Sequence, residues 1–396
     1  MLQQRGYFAA VEAALLDYTV DFHRTPDPAG GDRDCCDPAH SHIDYLNPGA
    51  GLGYAAASGR WAVALAAFGP YAGAVEYDRD SDARYLIVDQ ANGLAYAQLS
   101  GALRLLDGLS VGVGLQLRFF RMWQQFVGSV YPGLAGMPED RQFDALLDVR
   151  VDDWFSPGFV AGVIWAPLRQ LQVGFSYQNG FDVEGLGTLH VQIPSHYMYA
   201  EVGQEGERLR LQTRLPDIFR FGLRYLPSAR LDLEASLVWE RWSQHTYITG
   251  IPDEPISFVG VVALGEYQMQ RITIEDSFQD TLSFRLGGEL RLLDGVLRLR
   301  AGAFLENGAV PDETLNPGAL DSDKLGIGGG ATLLAGGLEW DLGLLHLFMV
   351  DRQVTSSRKR QVNPLYPAGS EVPSVVGNGS YSSRLDVLAL GVARRW

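Results

Sequence analysis

The chain has 396 residues, a formal charge of −15 and a mean hydropathy of −0.03. Nucleic acid is excluded as a partner, because a polyanion is held by basic surface. A helical membrane protein is excluded too. No apolar run reaches the roughly 20 residues a spanning helix needs, and the most apolar stretch, 49–75, is broken by Arg60 and Gly69-Pro70.

The opening stretch, 1–18, lacks the charged–apolar–small order of a signal peptide, and Glu12 interrupts its apolar part. Export requires such a signal, so the chain is expected to begin inside a precursor. From there the sequence predicts fourteen strands. They fall near Val11–His23, Pro48–Ala57, Arg60–Tyr77, Ala91–Leu105, Leu109–Trp123, Trp154–Ala166 and Gln170–Phe181. The rest fall near Leu215–Leu226, Arg230–Ser243, Asp280–Leu292, Val296–Glu306, Lys324–Leu334, Leu338–Val350 and Arg384–Trp396. The hairpin 215–244 is the clearest. Phe219, Phe221, Leu223 and Tyr225 alternate with Arg220, Gly222 and Arg224, and Leu231, Leu233, Ala235, Leu237 and Trp239 alternate with Asp232, Glu234 and Ser236. Side chains change face at every strand residue, so each arm has one apolar and one polar face.

Short turns such as Ser58-Gly59, Asp107-Gly108 and Asp294-Gly295 alternate strictly with long loops near 24–47, 78–90, 124–153, 182–214, 244–279, 307–323 and 351–383. That is the plan of an outer-membrane barrel with short periplasmic turns and long extracellular loops. The eight tryptophans fall at expected strand ends, Trp61, Trp165, Trp340 and Trp396 on the turn side and Trp123, Trp154, Trp239 and Trp242 on the loop side. Two aromatic girdles follow. The fold expected is an all-β, 14-stranded antiparallel transmembrane β-barrel occupying 11–396, with 1–10 the remnant of an N-terminal segment.

Other features carry less chemistry. Cys35-Cys36, with Asp32, Asp34, Asp37, His40 and His42 nearby, matches no standard metal spacing and is read as an exposed loop, its thiols in a strained or intermolecular disulfide. Gly108-Leu-Ser-Val-Gly112 has the nucleophile-elbow pattern but opens a strand, and Gly326-Ile-Gly-Gly-Gly-Ala331 precedes no helix. No catalytic, metal or cofactor site is assigned. The acids Glu76, Asp78, Asp80 and Asp82, and Glu139, Asp140, Asp144 and Asp148, are expected on solvated loops, or sharing divalent cations with anionic surface lipid.

The hairpin at 215–244, L-P-D-I-F-R-F-G followed by Y-x-P and W-E-R-W-S-Q, resembles the FadL family of outer-membrane transporters for long-chain fatty acids and, in the TodX branch, aromatic hydrocarbons. Asp280-Thr-Leu-Ser-Phe-Arg-Leu-Gly-Gly and Leu299-Arg-Ala-Gly-Ala-Phe304 extend the resemblance along nearly the whole chain. The resemblance implies fourteen strands and passive uptake of a hydrophobic compound. It also implies an N-terminal plug of about forty residues, for which too few residues precede the first strand here. A kinked third strand that opens the wall sideways maps onto Gly69, Pro70 and Gly73. Proline cannot donate to a ladder and glycine marks a bend; an ordinary strand end is the alternative.

Inward parity places Phe120, Met122, Val238, Trp242 and Phe304 in the outer half of the lumen, and Phe126 begins the loop above. Arg118, Arg220, Arg224, Arg285 and Arg300 are candidates to pair an anionic head group, or to fill the lumen by pairing with Glu234, Glu240, Glu289 and Glu306. Phe126, Val130, Tyr131, Leu134, Phe143, Leu146, Leu147, Tyr197, Met198 and Tyr199 are expected to form an outer capture groove or to pack as a lid, with a short helix within 143–151. Capture by the loops, an apolar pocket and lateral exit define the expected function, in a monomer surrounded by outer-membrane lipid and lipopolysaccharide. The alternatives are a diffusion porin and a structural or adhesive surface barrel.

Overall fold

The computed structural model describes residues 5–27, 38–133, 136–365 and 374–396; Cys35, Cys36, their neighbouring aspartates and Leu134 lie outside them. The wall begins with β1 (Gly6–Arg24), β2 (Ala39–Ala55), β3 (Trp61–Glu76), β4 (Asp89–Leu106), β5 (Leu109–Ser129) and β6 (Asp144–Leu168). The chain continues through β7 (Leu171–Gln178), β8 (Phe181–Gln192), the short β9 (Gly203–Glu205), β10 (Arg208–Leu215), β11 (Ile218–Tyr225) and β12 (Leu231–Glu240). Next come β13 (Tyr247–Pro252), β14 (Ser257–Val261), β15 (Gly265–Gln268), β16 (Ile272–Glu275) and β17 (Thr281–Leu292). The last are β18 (Leu297–Glu306), β19 (Lys324–Ala335), β20 (Leu338–Met349), β21 (Arg352–Val354) and β22 (Gly379–Arg395).

β9, β14 and β15 form a separate three-stranded sheet. Five staves of the wall are each built from two segments, β7 with β8, β10 with β11, β12 with β13, β16 with β17 and β20 with β21, so that the closed antiparallel barrel has 14 strands. β1 closes on β22 from Phe8↔Arg395 to Arg24↔Gly379. Closure pairs the first strand with the last, so the sheet has no terminal edge strand, the arrangement that satisfies strand backbone inside lipid. Period-two patterning sets the faces. Leu115, Phe284, Leu286 and Leu390 point outward with more than half their surface free for lipid, while Gln116, Arg118 and Ser283 point inward and are buried.

Several expected boundaries move. β1 starts at Gly6 rather than near Val11, and β2 starts at Ala39, inside an expected loop. The stretches 182–214 and 244–279 hold β8, β10, β13 and β16 rather than loops alone. On β8, Val183, Leu189 and Val191 face inward and Asp182, Glu184 and His190 outward, so strand alternation carries the wall above the membrane. The helix expected within 143–151 is a single 3-10 turn, Arg141–Phe143, followed by strand. Ala145, Leu147 and Val151 are buried on one face at two-residue spacing, a strand period.

The loops are tied together by buried charge. Arg24 at the top of β1 donates to Glu139 at 2.6 and 2.9 Å, with both side chains almost wholly buried. Asp82 accepts from the Arg24 backbone N at 2.9 Å. These two acids, expected on solvated loops, are buried: Glu139 is the counter-charge of the Arg24 guanidinium, and Asp82 is held by the Arg24 backbone and, at 3.2 Å, the His23 ring. Trp242, expected at the loop-side strand end and on the inward parity, stands beside Tyr71 and Glu240 at the lumen mouth.

Candidate functional site: an apolar upper lumen beside a broken ladder

β3 pairs with β2 only from Ala55↔Ala62 to Gly49↔Phe68, although both strands run on, β2 down to Ala39 and β3 up to Glu76. At the same point β3 shifts register against β4, from Phe68↔Tyr96 to Tyr71↔Leu94, one extra residue in three. Gly69 and Pro70 sit in this bulge. Pro70 has no N–H to offer β2, and a Cβ on Gly69 would lie 2.8 Å from Asn47 Oδ1. Above it, side chains replace the ladder: Asn47 Nδ2 donates to the Gly69 carbonyl at 2.9 Å and Ser41 Oγ accepts from Glu76 N at 3.0 Å. Gly73 continues the strand past the bulge, opposite Asn92 of β4.

The bulge aims aromatic rings across the lumen. Tyr71 Oη donates to Glu240 at 2.9 Å, and the same carboxylate accepts from Trp242 Nε1 at 2.9 Å. Tyr71 and Trp242 meet edge-to-face at 5.7 Å, and Phe68 and Tyr96 at 5.5 Å. Above them an apolar cluster fills the outer half of the barrel and the folded loops. It includes Leu94, Tyr96, Met122, Val130, Phe143, Leu147, Phe181 and Tyr199, with Phe68, Tyr71, Phe120 and Phe126 packed on it. Of the expected groove residues, Val130, Phe143, Leu147 and Tyr199 are buried in this cluster, while Tyr197 is 82% exposed.

The predicted site residues fall into three places. Met122, Phe120 and Phe126 join the upper cluster, and Trp242 lies at its edge with Tyr71. Val238, Arg220, Arg224 and Arg285 line a cavity of about 980 Å³ lower in the lumen, whose opposite wall is stripped to Gly112, Gly114, Gly162, Ser100 and Ser176. Phe304 and Arg300 stand apart. Phe304 lies over Gly326, where a Cβ would meet its ring at 2.1 Å, with Arg285 5.3 Å from its centroid.

The five arginines also separate by partner. Arg224, Asp232, Arg291, Glu289, Arg300 and Asp341 form a continuous chain of ion pairs across β11, β12, β17, β18 and β20, and Arg285 pairs with Glu306 at 3.4 Å. Two lack a carboxylate partner among the described residues. Arg220 reaches Gln178 at 3.5 Å. Arg118, with 0% exposure, donates to Gln116 and Asn179 and keeps a buried Nη1 without a partner. Desolvated guanidinium without its counter-charge is costly unless a ligand supplies one.

Sequence reasoning missed Tyr71, Tyr96 and Asn47, and named Glu240 only as a partner for the lumen arginines rather than for Tyr71. Tyr71 stands next to the Gly69-Pro70 break and Tyr96 on the inward parity of β4, so both carried a signal. The Tyr71–Glu240 bond joins residues 169 apart in sequence and carried none.

A closed barrel with lipid-facing leucines outside, an apolar chamber above a charged lower lumen and roofing loops defines a multi-pass outer-membrane transport protein. The profile of the family described as "Outer membrane protein transport protein (OMPP1/FadL/TodX)" matches residues 49–383, and the chain belongs to that family, whose members carry hydrophobic compounds. Among solved structures it is similar to a FadL homologue from Pseudomonas aeruginosa at 17% identity, covering 98% of this chain and 90% of that one, with a TM-score of 0.78. The Ralstonia pickettii toluene transporter TbuX matches at 15% identity over 99% of this chain and 90% of that one, TM-score 0.63. The Pseudomonas putida toluene transporter TodX matches at 14% identity with the same coverages, TM-score 0.64. No curated protein sequence matches the chain.

Proposed function

We propose that this barrel takes up hydrophobic compounds passively, capturing them at the outer loops, holding them in the apolar upper lumen and releasing them sideways between β2 and β3. The observation that carries this reading is the early end of the β2–β3 ladder at Phe68, with only side chains spanning the wall above it. Leaving through that break keeps an apolar molecule out of the polar lower lumen and delivers it to hydrocarbon, so the route needs no energy source. Long-chain fatty acids and small aromatic hydrocarbons are the cargo classes. Arg118 and Arg220, the arginines without carboxylate partners, favour the former by offering a head-group site. Residues 6–396 act as one unit, a monomer seated in lipopolysaccharide, without catalysis.

Two measurements test this. Native mass spectrometry of detergent-purified protein, with extraction of what co-purifies, is expected to find a bound fatty acid or aromatic. An empty barrel with steady ion conductance in planar bilayers would leave a diffusion porin. Tyr45→Cys with Ala72→Cys, in a Cys35→Ser/Cys36→Ser background, then places thiols across the break, where Tyr45 Oη approaches the Ala72 carbonyl at 3.4 Å. Bridging them with a reducible cross-linker is expected to stop release until it is cleaved. Uptake at the free rate by the bridged protein would sink the lateral route.

A further inference from the structure

The wall is interrupted a second time. β6 pairs with β7 from Leu168↔Leu171 to Val160↔Gln178, and with β8 only from Asp152↔Leu186 onward. Between those rungs, residues 153–159 and 179–185 face each other without a ladder among the described residues. One backbone bond remains, from Asn179 N to the Phe159 carbonyl at 3.2 Å, and side chains fill in the rest: Asn179 Oδ1 accepts from Phe159 N at 2.7 Å, and Asp153 from Glu184 N at 3.3 Å. β6 is loosened on its other edge as well, bulging against β5 between Arg118 and Phe120. Trp154 and Phe155 stand on the outside of this segment, 64% and 72% exposed, at the height of the outer girdle.

Arg118 lies behind the break. Its guanidinium takes the space a side chain at residue 158 would need, since a Cβ on Gly158 would lie 2.1 Å from Cζ. It donates to the Asn179 carbonyl at 2.8 Å and to Asn179 Oδ1 at 2.9 Å, and its Cζ is 4.5 Å from the Phe181 ring centroid and 5.4 Å from that of Tyr96. One arginine thus pins the strand junction at Asn179 while keeping a buried Nη1 unpartnered. A hydrocarbon gives that N–H nothing. A carboxylate does, and it binds guanidinium in a planar, two-pronged geometry.

We propose that the break between β6 and the β7–β8 junction is a second lateral port, latched by Arg118 on Asn179, through which a single-chain monocarboxylic amphiphile passes between the outer leaflet and the upper lumen. Its head group takes the free Nη1 and releases Asn179; its chain follows the aromatic surface of Trp154, Phe155 and Phe181. This rests on the hydrophobic-cargo reading above and adds a port specific for acids.

The test uses the unaltered protein in outer-membrane vesicles and two probes, a diazirine-bearing hexadecanoic acid and its methyl ester, with photo-adducts mapped by mass spectrometry. The acid is expected to label 179–181 as well as Tyr71 and Ala72. The ester is expected to label 179–181 about tenfold less, the loss of one charge-assisted pairing. Adducts at Tyr71 and Ala72 with none at 179–181 would overturn the second port and leave the proposed function standing. Equal labelling of 179–181 by acid and ester would overturn the role of Arg118. No adducts in the lumen with either probe would remove the hydrophobic-cargo reading itself, and this port with it.

Discussion

Tyr71 and Glu240 join opposite walls of the barrel through a single 2.9 Å hydrogen bond, with Trp242 sharing the same carboxylate. The donor stands immediately after the Gly69-Pro70 bulge, so the bond holds the part of β3 that has left β2, and pairs only with β4, toward the lumen. Hydrogen bonds to a charged acceptor are worth about 1.5–3 kcal/mol. Tyr71→Phe keeps the edge-to-face contact and loses the bond. It is expected to speed release of a fluorescent fatty acid from purified protein by about tenfold, the lower part of that energy range. An unchanged release rate would show that the bond does not restrain β3.

Gly69 has a second constraint. A Cβ there would crowd Asn47 Oδ1 at 2.8 Å and the Leu94 carbonyl at 3.3 Å. Gly69→Ala is expected to push Asn47 off the Gly69 carbonyl and cost about 1–3 kcal/mol, seen as a lower thermal midpoint. Asn47→Ala should leave the midpoint closer to wild type while raising amide exchange of 69–76. Exchange in 69–76 as slow as in the paired residues 62–68 of either variant would contradict this.

The Arg24–Glu139 pair is buried on both sides and joins β1 to the roof over the lumen. Removing one member strands the other, at about 3–5 kcal/mol. Glu139→Ala is therefore expected to expose 130–143 to protease while the barrel keeps its heat-modifiable migration. Arg24→Leu combined with Glu139→Leu should recover much of the protection. If the single variant resists protease like wild type, the pair does not hold the roof.

Two loop carboxyls give opposite pH responses. Asp144, ten residues above Trp154, is pushed up to about 6 by burial, against the opposing pull of Arg84 and the Tyr85 hydroxyl. A folded-state pKa above the unfolded one means its contribution is fully present below the ordinary carboxylate value and is lost as pH rises through about 6. Amide protection of 136–144 should thus fall from pH 5 to 7, and Asp144→Asn should flatten that fall.

Asp276 behaves in reverse. Burial raises it, but the His245 hydrogen bond and Lys359, 3.0 Å away, hold it below the ordinary value. Its contribution is present above that value and lost as pH falls through the folded pKa. The junction of Thr246, Asp276 and Lys359 should loosen only in acid, and Asp276→Asn should remove that acid step. Exchange measured across the pH range separates the two carboxyls, because their slopes have opposite sign.

Much of this molecule is written in local pattern. Alternation at two-residue spacing, as in Leu282, Phe284, Leu286 against Ser283, Arg285, Gly287, states which face meets lipid, and the order of short turns and long loops states which way the barrel stands. The Gly69-Pro70 pair marks a break because proline lacks an N–H wherever it sits. These are properties of single residues and their immediate neighbours, so the strand number, the barrel and the family resemblance were determined by the sequence alone.

Tertiary structure decided the rest. Five inward arginines look alike in sequence; closure of the barrel gave Arg224, Arg285 and Arg300 carboxylate partners and left Arg118 and Arg220 without them. Acidic loops looked solvated until Arg24 was brought against Asp82 and Glu139. The strands of 182–214 and 244–279 formed where they buried one face against the folded loops. Each of these depends on contacts between residues tens to hundreds of positions apart. Charge pairing and burial are set by distance in space, which alternation along the chain does not encode.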